Sequence, residues 1–231
     1  MPVSARTYGQ FCGLARALEI VGERWSLLVV RDLMLGPKRF TELQRTLPRI
    51  PVSILTSRLN ELEESGVIRR RVLSQLDAGV VYELTEYGCE LDHIVLDLAL
   101  WGARSLTQPK PDEVFTLDSA ILSLYTTFQE EAAAGVHINY ELHYLGGEMI
   151  VHALVDDGAV KVSAGALPDA DLVIEPRGPV MIDLLKGSLS PADALAGGEV
   201  RIDGDPADLE LFTRLFHIPP APQQSMGPAL Y

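Results

Sequence analysis

Apolar residues in the first hundred positions recur every three or four residues, and short breaks containing glycine or proline separate the runs. The first two runs are Leu14, Leu18 and Val21, then Trp25, Leu28, Val29 and Leu33. This spacing predicts two amphipathic helices. Gly36-Pro37 ends the second helix, because glycine closes a helix C-terminus and proline cannot continue it.

The next two apolar runs lie on either side of a proline-containing break. Phe40, Leu43 and Leu47 predict a short helix that ends at Pro48. After Ile50-Pro51, a fourth helix is predicted to turn three leucines inward, which are Leu55, Leu59 and Leu62. Its outward positions are small and polar, namely Ser53, Thr56, Ser57 and Asn60. Two helices joined in this way predict a helix-turn-helix.

A strand-like hairpin and a long amphipathic run follow. Residues 67–73 and 80–85 predict two strands joined by a loop over 74–79, which is the wing of a winged helix. From about Tyr87 a further helix is predicted, with an apolar stripe made of Leu91, Ile94, Val95, Leu98 and Trp101. Such a stripe at the end of a small domain needs a partner surface, and a second copy of the chain would supply it.

The hydrophobic period changes from 3.6 to 2 in the second half of the chain. Asp118 is predicted to cap a helix, and residues 137–155 then alternate around Gly146-Gly147, which indicates a two-residue hairpin turn. With this turn, the numbers of any two residues that face each other across the hairpin sum to 293, so that Tyr144 faces Met149. In this register one face of the hairpin is apolar at every position. Later strands are predicted up to Val162 and at 172–175 and 200–202, with helices at 180–186, after Ser190-Pro191 and at 206–216.

The predicted fold class is α+β with two domains. Residues 1–107 form a winged helix-turn-helix domain with a long dimerisation helix, and residues 108–117 form a linker. Residues 118–218 form an α/β sandwich around a small sheet, and residues 219–231 form a flexible tail.

Charge is divided unevenly between the two halves. Residues 1–108 hold 13 of the 19 basic and 13 of the 32 acidic residues, so residues 109–231 hold 6 and 19, a net charge of −13. Residues 38–71 hold eight basic and four acidic residues, a local excess of +4. This distribution predicts that one face of the N-terminal half binds a polyanion while the acidic half faces away.

Several classes of protein are disfavoured by the composition and motifs. The longest strictly apolar runs, such as residues 27–30, are far shorter than the ~20 residues that span a bilayer, and residues 1–10 lack the apolar run of a secretory signal. Cys12 and Cys89 fit no metal-ligand spacing. We find no phosphate-binding loop and no nucleophile elbow. We therefore expect a cytoplasmic protein that is not an enzyme, without membrane association, cofactor or metal.

The N-terminal half resembles the HxlR family of bacterial winged-helix regulators over residues 11–106. The resemblance rests on an ordered set of short motifs, which are Gly22-Glu23-Arg24-Trp25, Arg31-Asp32-Leu33, Arg39-Phe40-Thr41-Glu42-Leu43, Leu47-Pro48-Arg49-Ile50, Leu55-Thr56-Ser57-Arg58-Leu59, Tyr82-Glu83-Leu84-Thr85 and Trp101-Gly102. The family implies a homodimer, formed through the N- and C-terminal helices of the winged-helix domain. The dimer places two recognition helices in successive major grooves of a pseudo-palindromic operator. The wing departs from the family pattern because it reads Ala78-Gly79-Val80 without an arginine. Pro51 stands where a small polar cap is usual, so that Ser53 is a candidate cap.

This layout assigns candidate roles in binding double-stranded DNA. Arg39, Arg49 and Arg58 flank the recognition helix and are candidates for phosphate contacts, which Lys38, Arg69, Arg70 and Arg71 would extend. Ser53, Thr56, Ser57 and Asn60 are candidates for base contacts, with Asn60 the weakest because it lies two turns into the helix. Each of these residues can equally be a solvated surface group.

Cys12 is the candidate for redox chemistry. Some HxlR relatives sense oxidants or electrophiles at this N-terminal position, and Arg16 is close enough in sequence to lower the pKa of an exposed thiol. The alternative is a small buried hydrophobic residue, which is the usual role of a free cysteine.

The second half resembles the sterol carrier protein type 2-like domain over residues 118–218. The motifs are Ala170-Asp171-Leu172-Val173-Ile174, Leu184-Leu185-Lys186-Gly187-Ser188-Leu189-Ser190-Pro191 and Gly198-Glu199-Val200-Arg201-Ile202-Asp203-Gly204-Asp205. That fold implies an apolar tunnel for hydrophobic small molecules. Candidate lining residues are Tyr140, Leu142, Tyr144, Ile182, Leu185, Leu211 and Phe212. The alternative is a packed core without a cavity.

A second cluster in this half is polar. The hairpin register sets Glu141 opposite His152 and next to His143, and two histidines with a carboxylate can begin a metal site. Because no fourth ligand is evident, the favoured prediction is a hydrogen-bonded cross-strand cluster.

Three hypotheses about function follow. The first is a dimeric transcriptional regulator modulated by a hydrophobic effector in the C-terminal domain. The second is a ligand carrier or scaffold whose DNA binding is incidental. The third keeps the regulator but moves sensing to Cys12.

Overall fold

The computed structural model describes residues 7–73 and 79–221. The chain divides into two compact units, residues 1–95 and 96–231. This division falls inside a helix, ahead of the linker predicted at 108–117.

The N-terminal elements are those of a winged helix-turn-helix. In chain order they are α1 (Gly13–Val21), α2 (Ser26–Met34), β1 (Lys38–Arg39), α3 (Phe40–Thr46), α4 (Val52–Glu64), β2 (Ile68–Val72), β3 (Val80–Leu84), α5 (Glu86–Cys89) and α6 (Asp92–Ala103). The strands form an antiparallel sheet in the order β1-β3-β2. The predicted helix-turn-helix and wing strands are confirmed. The long helix predicted from Tyr87 is wrong at its start, because α5 ends at Cys89 and α6 begins at Asp92.

The core of this unit forms where the helices meet the small sheet. Leu55, Leu59 and Leu62 on α4 are fully buried, as their spacing predicts. Asp32 on α2 is also fully buried, and its carboxylate accepts a hydrogen bond from Thr46 Oγ1 at 2.5 Å and pairs with Arg31 at 2.6 Å. A buried carboxylate must be compensated in this way, so the Arg31-Asp32 motif ties α2 to α3.

Among the glycines in the described part of this unit, Gly88 leaves the least room for a side chain. Its N–H donates to Thr85 Oγ1 at 3.0 Å, which caps α5. A Cβ atom at Gly88 would lie 2.0 Å from the carbonyl oxygen of Val67. Because that oxygen belongs to the backbone and accepts the N–H of Thr85, it cannot move aside without breaking the junction of wing and helix.

We therefore expect Gly88→Ala to lower the free energy of unfolding of the N-terminal unit by about 3 kcal/mol. Urea titration followed by hydrogen exchange of the α4 amides measures this change. Gly13→Ala is the matched control, since a Cβ at Gly13 meets no atom within 4 Å. Equal stability of the two variants would show that the junction tolerates the added methyl group.

The C-terminal unit packs helices against one five-stranded sheet. Its elements are α7 (Leu117–Thr127), β4 (His137–Tyr144), β5 (Met149–Asp156), β6 (Ala159–Ala164), β7 (Leu172–Pro176), α8 (Val180–Leu185), α9 (Pro191–Ala196), β8 (Val200–Asp203) and α10 (Pro206–Leu215). The strand order is β6-β5-β4-β7-β8. The β4–β7 pair is parallel and the other three pairs are antiparallel. The predicted alternation of strands and helices is confirmed, although β6 extends to Ala164 rather than Val162.

The hairpin register predicted from the sequence is confirmed at every pair. Tyr144 faces Met149 and Glu141 faces His152. The turn is longer than predicted, because β4 ends at Tyr144 and β5 begins at Met149, with a 3-10 turn over Leu145–Gly147 between them. A four-residue connection keeps the same sum of residue numbers as a two-residue one.

The cap predicted for α7 is wrong by two residues. Thr116 is the N-cap, and its hydroxyl accepts from the backbone N–H of Ser119 at 3.1 Å. Asp118 lies in the first turn instead, where a carboxylate still favours the positive end of the helix.

Candidate functional site

Helix α4 presents a polar face opposite its buried leucines. Ser53, Thr56 and Asn60 are exposed and Ser57 is half-buried. The Thr56 hydroxyl donates to Val52 O at 2.9 Å, and the Ser57 hydroxyl donates to Glu61 Oε1 at 2.9 Å. Within the described residues no hydrogen bond engages the side chains of Ser53 or Asn60. Asn60, predicted to be the weakest base-contact candidate, therefore presents an exposed amide that local bonds do not occupy.

The start of α4 differs from the predicted cap. Pro51 is the N-cap residue, and it provides no side-chain cap hydrogen bond. Ser53 lies inside the first turn, so its predicted role as a cap is wrong. Val52 and Ile54 in the same turn are exposed apolar residues that the sequence analysis did not single out. Exposed apolar side chains on a recognition helix suit contacts with thymine methyl groups.

Four of the predicted phosphate-binding arginines pair with carboxylates. Arg58 lies 2.8 Å from Glu61 and 3.5 Å from Glu23, and only 12% of its side chain is exposed. On the wing, Arg69 and Arg71 both pair with Glu83, at 2.8 and 2.9 Å.

Arg70 is the fourth of these arginines, and it pairs with Glu63 at 2.6 Å. The ion pair with Glu63 raises the pKa of the Arg70 guanidinium further, while the hydrogen bonds from Arg71 and Arg69 hold the pKa of the Glu83 carboxyl below its usual range. These arginines are charged but already occupied.

The remaining cations of the predicted set lie around α3 and the base of the wing. The Arg39 N–H donates to Glu42 Oε2 at 2.6 Å, which begins α3. The guanidinium of Arg39 lies against Gly79, where an added Cβ would be 2.8 Å from Nη1. Arg39 and Lys38 are half-buried and Arg49 is exposed. Arg39 thus supports the wing as well as being a candidate for DNA contact.

The local excess of positive charge is smaller than the sequence window indicated. Glu23 and Glu83 lie outside residues 38–71 but pair with arginines inside it. Counting them reduces the excess from +4 to +2. The wing tip, residues 74–78, lies outside the described residues, and so the prediction about its missing arginine is not tested.

Exposed apolar side chains follow the two helices that were predicted to dimerise. On α1, Leu14 is 70% exposed and Leu18 is also exposed. On α6, Ile94 and Leu98 are exposed and Trp101 is 68% exposed. Val95, in the same predicted stripe, is buried.

Cys12 lies at the N-cap of α1, and both it and Cys89 are exposed free thiols. The alternative of a buried hydrophobic residue is therefore wrong for Cys12. Arg16 forms an ion pair with Glu19 at 2.6 Å. The cation predicted to act on the Cys12 thiol thus has a carboxylate partner of its own.

The predicted ligand-lining residues lie in or beside the core of the C-terminal unit. Tyr140, Leu142, Tyr144, Leu185 and Phe212 are buried, and Ile182 and Leu211 are half-buried. The ring centroids of Tyr140 and Phe212 are 5.1 Å apart, and those of Phe212 and Phe216 are 4.7 Å apart. Burial raises the pKa of the Tyr140 and Tyr144 hydroxyls. The rings of Tyr140, Phe212 and Phe216 therefore pack against one another in the core.

The predicted polar cluster is hydrogen-bonded, but its bonds lie within β4 and to Leu167 rather than across to His152 on β5. Glu141 is buried, and its two carboxylate oxygens contact His143 Nε2 at 2.5 Å and the backbone N–H of Leu167. Burial acts to raise the pKa of Glu141, but these two hydrogen bonds and the nearby charge of His143 and His152 together hold the pKa below its usual range. His152 contacts Gly165 O at 2.8 Å instead of joining the cluster. Across residues 7–73 and 79–221, no three such side chains form a group able to hold a metal ion.

The recognition helix, its flanking cations and the wing define a winged helix-turn-helix protein of the DNA-binding class. The family model for HxlR-like helix-turn-helix proteins matches residues 20–110. The chain belongs to this family of transcriptional regulators, because it is 39% identical over 106 residues to YtcD of Bacillus subtilis, an uncharacterized HTH-type transcriptional regulator, covering 46% of this chain and 84% of YtcD.

Other proteins are similar over the same region. The regulator YodB of Bacillus subtilis is 39% identical over 86 residues, which cover 37% of this chain and 77% of YodB. The structure of the redox regulator HypR in its oxidized form is 35% identical with a TM-score of 0.40, and covers 42% of this chain and 99% of HypR. None of the helices in the described part of the chain is long and apolar enough to span a membrane.

Proposed function

We propose that this protein is a homodimeric regulator that reads a pseudo-palindromic operator through α4. The exposed polar and apolar face of α4, opposite three buried leucines, is the observation that carries the proposal. Asn60 presents an amide suited to adenine, and Val52 and Ile54 present methyl groups suited to thymine. The exposed stripes on α1 and α6 support a dimer, because an isolated copy leaves Leu14 and Trp101 largely in water.

The experiment is selection of bound sequences from a pool of random duplexes by the purified protein. We expect two related half-sites about one helical turn, or a multiple of one turn, apart. Asn60→Ala is expected to relax the preference at one base pair of each half-site and weaken binding by about 10-fold. Glu210→Gln, on the exposed surface of α10, is the control and should leave the selected sequence unchanged. Recovery of no shared sequence would count against an operator-binding function.

The second part of the proposal concerns a hydrophobic effector in the C-terminal unit. The sterol-carrier-like resemblance and the burial of Tyr140, Leu142 and Phe212 support an apolar site there. Because the rings of Tyr140, Phe212 and Phe216 contact one another, a ligand that enters between them has to displace at least one ring. Extraction of hydrophobic molecules from the purified protein tests this part, and protein free of any such molecule weakens it.

A sensing role for Cys12 is favoured by one observation, the exposure of its thiol at the start of α1. An oxidant or electrophile could reach it there. If Cys12 is the sensor, Cys12→Ser should abolish release from the operator by diamide or a quinone. A fully responsive Cys12→Ser protein would assign sensing elsewhere, with Cys89→Ser as the next variant.

A further inference from the structure

A depression of about 400 Å³ lies between the α1–α2 turn and the start of α4. Three arginines line it, namely Arg24, Arg49 and Arg58, together with one carboxylate, Glu23. Three guanidinium groups and one carboxylate give the walls a net charge of +2. In a protein whose sequence carries a net charge of −13, this local excess of positive charge favours an anion over a cation in the depression.

We propose that this depression binds a backbone phosphate of double-stranded DNA, held by Arg24, Arg49 and the first turn of α4. The inference rests on the proposed DNA-binding function and assigns it a contact that sequence analysis missed. Arg49 and Arg58 were among the predicted phosphate contacts, whereas Arg24 stood only within the family motif.

The start of α4 borders the depression. Pro51 and Ile54 line it, and Pro51 supplies no side-chain cap. The first intrahelical hydrogen bond runs from the N–H of Leu55 to Pro51 O at 2.9 Å. The N–H groups before Leu55 therefore precede the helical hydrogen-bond ladder, and they carry the positive end of the helix dipole. A phosphate oxygen is a suitable acceptor for such groups.

Arg24 is held at the depression by its neighbour. Trp25, the N-cap residue of α2, adopts a left-handed conformation with φ of 82°. The Arg24 guanidinium carbon lies 5.3 Å from the Trp25 ring centroid. No ion pair engages Arg24 in the described part of the chain. Stacking on the indole thus orders an exposed guanidinium without neutralising it.

Arg58 also lines the depression, and it is already paired with Glu61. Its Nε and Nη1 atoms are buried and make no hydrogen bond within residues 7–73 and 79–221. Nη1 lies 3.5 Å from Glu23, which is long for an ion pair, whereas Nη2 lies 2.8 Å from Glu61. Glu23 is therefore the group that an arriving phosphate repels, and Arg58 remains anchored by Glu61 when Glu23 moves.

This arrangement predicts opposite effects for two neighbouring residues. Arg24→Ala removes a phosphate contact, so DNA binding should weaken by about 5-fold. In a plot of the logarithm of the DNA association constant against the logarithm of the salt concentration, the slope should fall in magnitude by about 0.9 for each phosphate that is no longer neutralised. For a dimer this is about 1.8. Glu23→Gln removes the repelling charge and should tighten DNA binding by about 3-fold. Arg16→Ala makes the same change of charge at an exposed arginine outside the depression, and should leave the slope unchanged.

The experiment uses fluorescence anisotropy with a labelled duplex of about 30 base pairs, long enough for two half-sites, at about 50 to 200 mM salt. The phosphate site is supported if Arg24→Ala binds DNA more weakly with a smaller salt slope and Glu23→Gln binds DNA more tightly. An Arg24→Ala slope equal to that of Arg16→Ala overturns it.

Inorganic phosphate is titrated separately into the protein, and binding is followed by the Ser53 amide signal in NMR spectra. Binding of phosphate alone, with an unchanged DNA slope, assigns the depression to a free anion and also overturns the inference. Failure of the parent protein to bind any duplex would instead refute the proposed function itself.

Discussion

Phe212→Ala is expected to lower the free energy of unfolding of the C-terminal unit by about 3–5 kcal/mol. Phe212 on α10 is fully buried, and its ring contacts both Tyr140 on β4 and Phe216. Truncation removes these contacts and leaves a cavity that a sheet and a helix cannot easily close. Urea unfolding followed by hydrogen exchange of the β4 and α10 amides measures the decrease for this unit separately from the rest of the chain.

The size of this decrease also decides between a filled core and an open tunnel. Val114→Ala is the surface control, since Val114 is 65% exposed, and it should change stability by less than about 0.5 kcal/mol. In a filled core, Phe212→Ala gains the ability to bind a small apolar molecule such as benzene, which the parent lacks. A decrease of less than about 1 kcal/mol, with binding in both proteins, would mean that the parent already contains an open apolar cavity.

The hairpin of the C-terminal unit was predictable because its pattern is local. Alternation with period 2 fixes which side chains share a face, and a single glycine pair places the turn, so the register of β4 and β5 follows. The length of the turn does not follow, because two-residue and four-residue connections preserve the same pairing. The cap of α7 was missed for a similar reason, since Thr116 and Asp118 are both good caps and the backbone conformation chooses between them.

The electrostatics of the candidate DNA interface was less predictable, because it depends on contacts between distant positions. Arg69 and Arg71 lie on one face of β2, and only the pairing of β2 with β3 brings Glu83 to both of them. Glu23 reaches Arg58 across the fold in the same way. A count over a stretch of sequence includes every charged residue, whereas a bound phosphate interacts with the charges that ion pairs in the folded protein leave unneutralised.

The significance of Arg24 was also hidden from the sequence. Its position matters because Trp25 takes a positive φ, which is uncommon for a non-glycine residue and is not encoded by hydrophobic spacing. Pro51 indicated from the sequence that the usual polar cap of α4 is missing, but it did not indicate that the start of the helix borders an arginine-lined depression. The absence of a side-chain cap becomes a binding feature only when arginines from another turn face the same space.

Trp101→Asp is expected to convert the proposed dimer into monomers and to weaken binding to the proposed operator by at least about 100-fold. Trp101 and Leu98 are exposed on α6, and a large aromatic residue at the centre of an interface is a common source of binding energy. An aspartate there would have to be buried without a partner in the dimer, at a cost of several kcal/mol. Monomers bind two half-sites independently and lose the ~10²- to 10⁴-fold gain that comes from linking them. Sedimentation velocity gives the oligomeric state, and anisotropy with the selected operator gives the affinity.

Ala99→Asp separates the effect of removing the indole ring from the effect of added charge, because Ala99 is exposed on the same helix but lies on a different side from Trp101. It adds the same negative charge to an already acidic unit, and so it should remain a dimer with nearly unchanged operator affinity. If both variants dissociate, electrostatic repulsion between two acidic copies controls assembly, and added salt should restore the dimer. If Trp101→Asp stays dimeric, the dimer must form through another surface, and Leu14 and Leu18 on α1 become the residues to change next, since they are the other exposed apolar stripe.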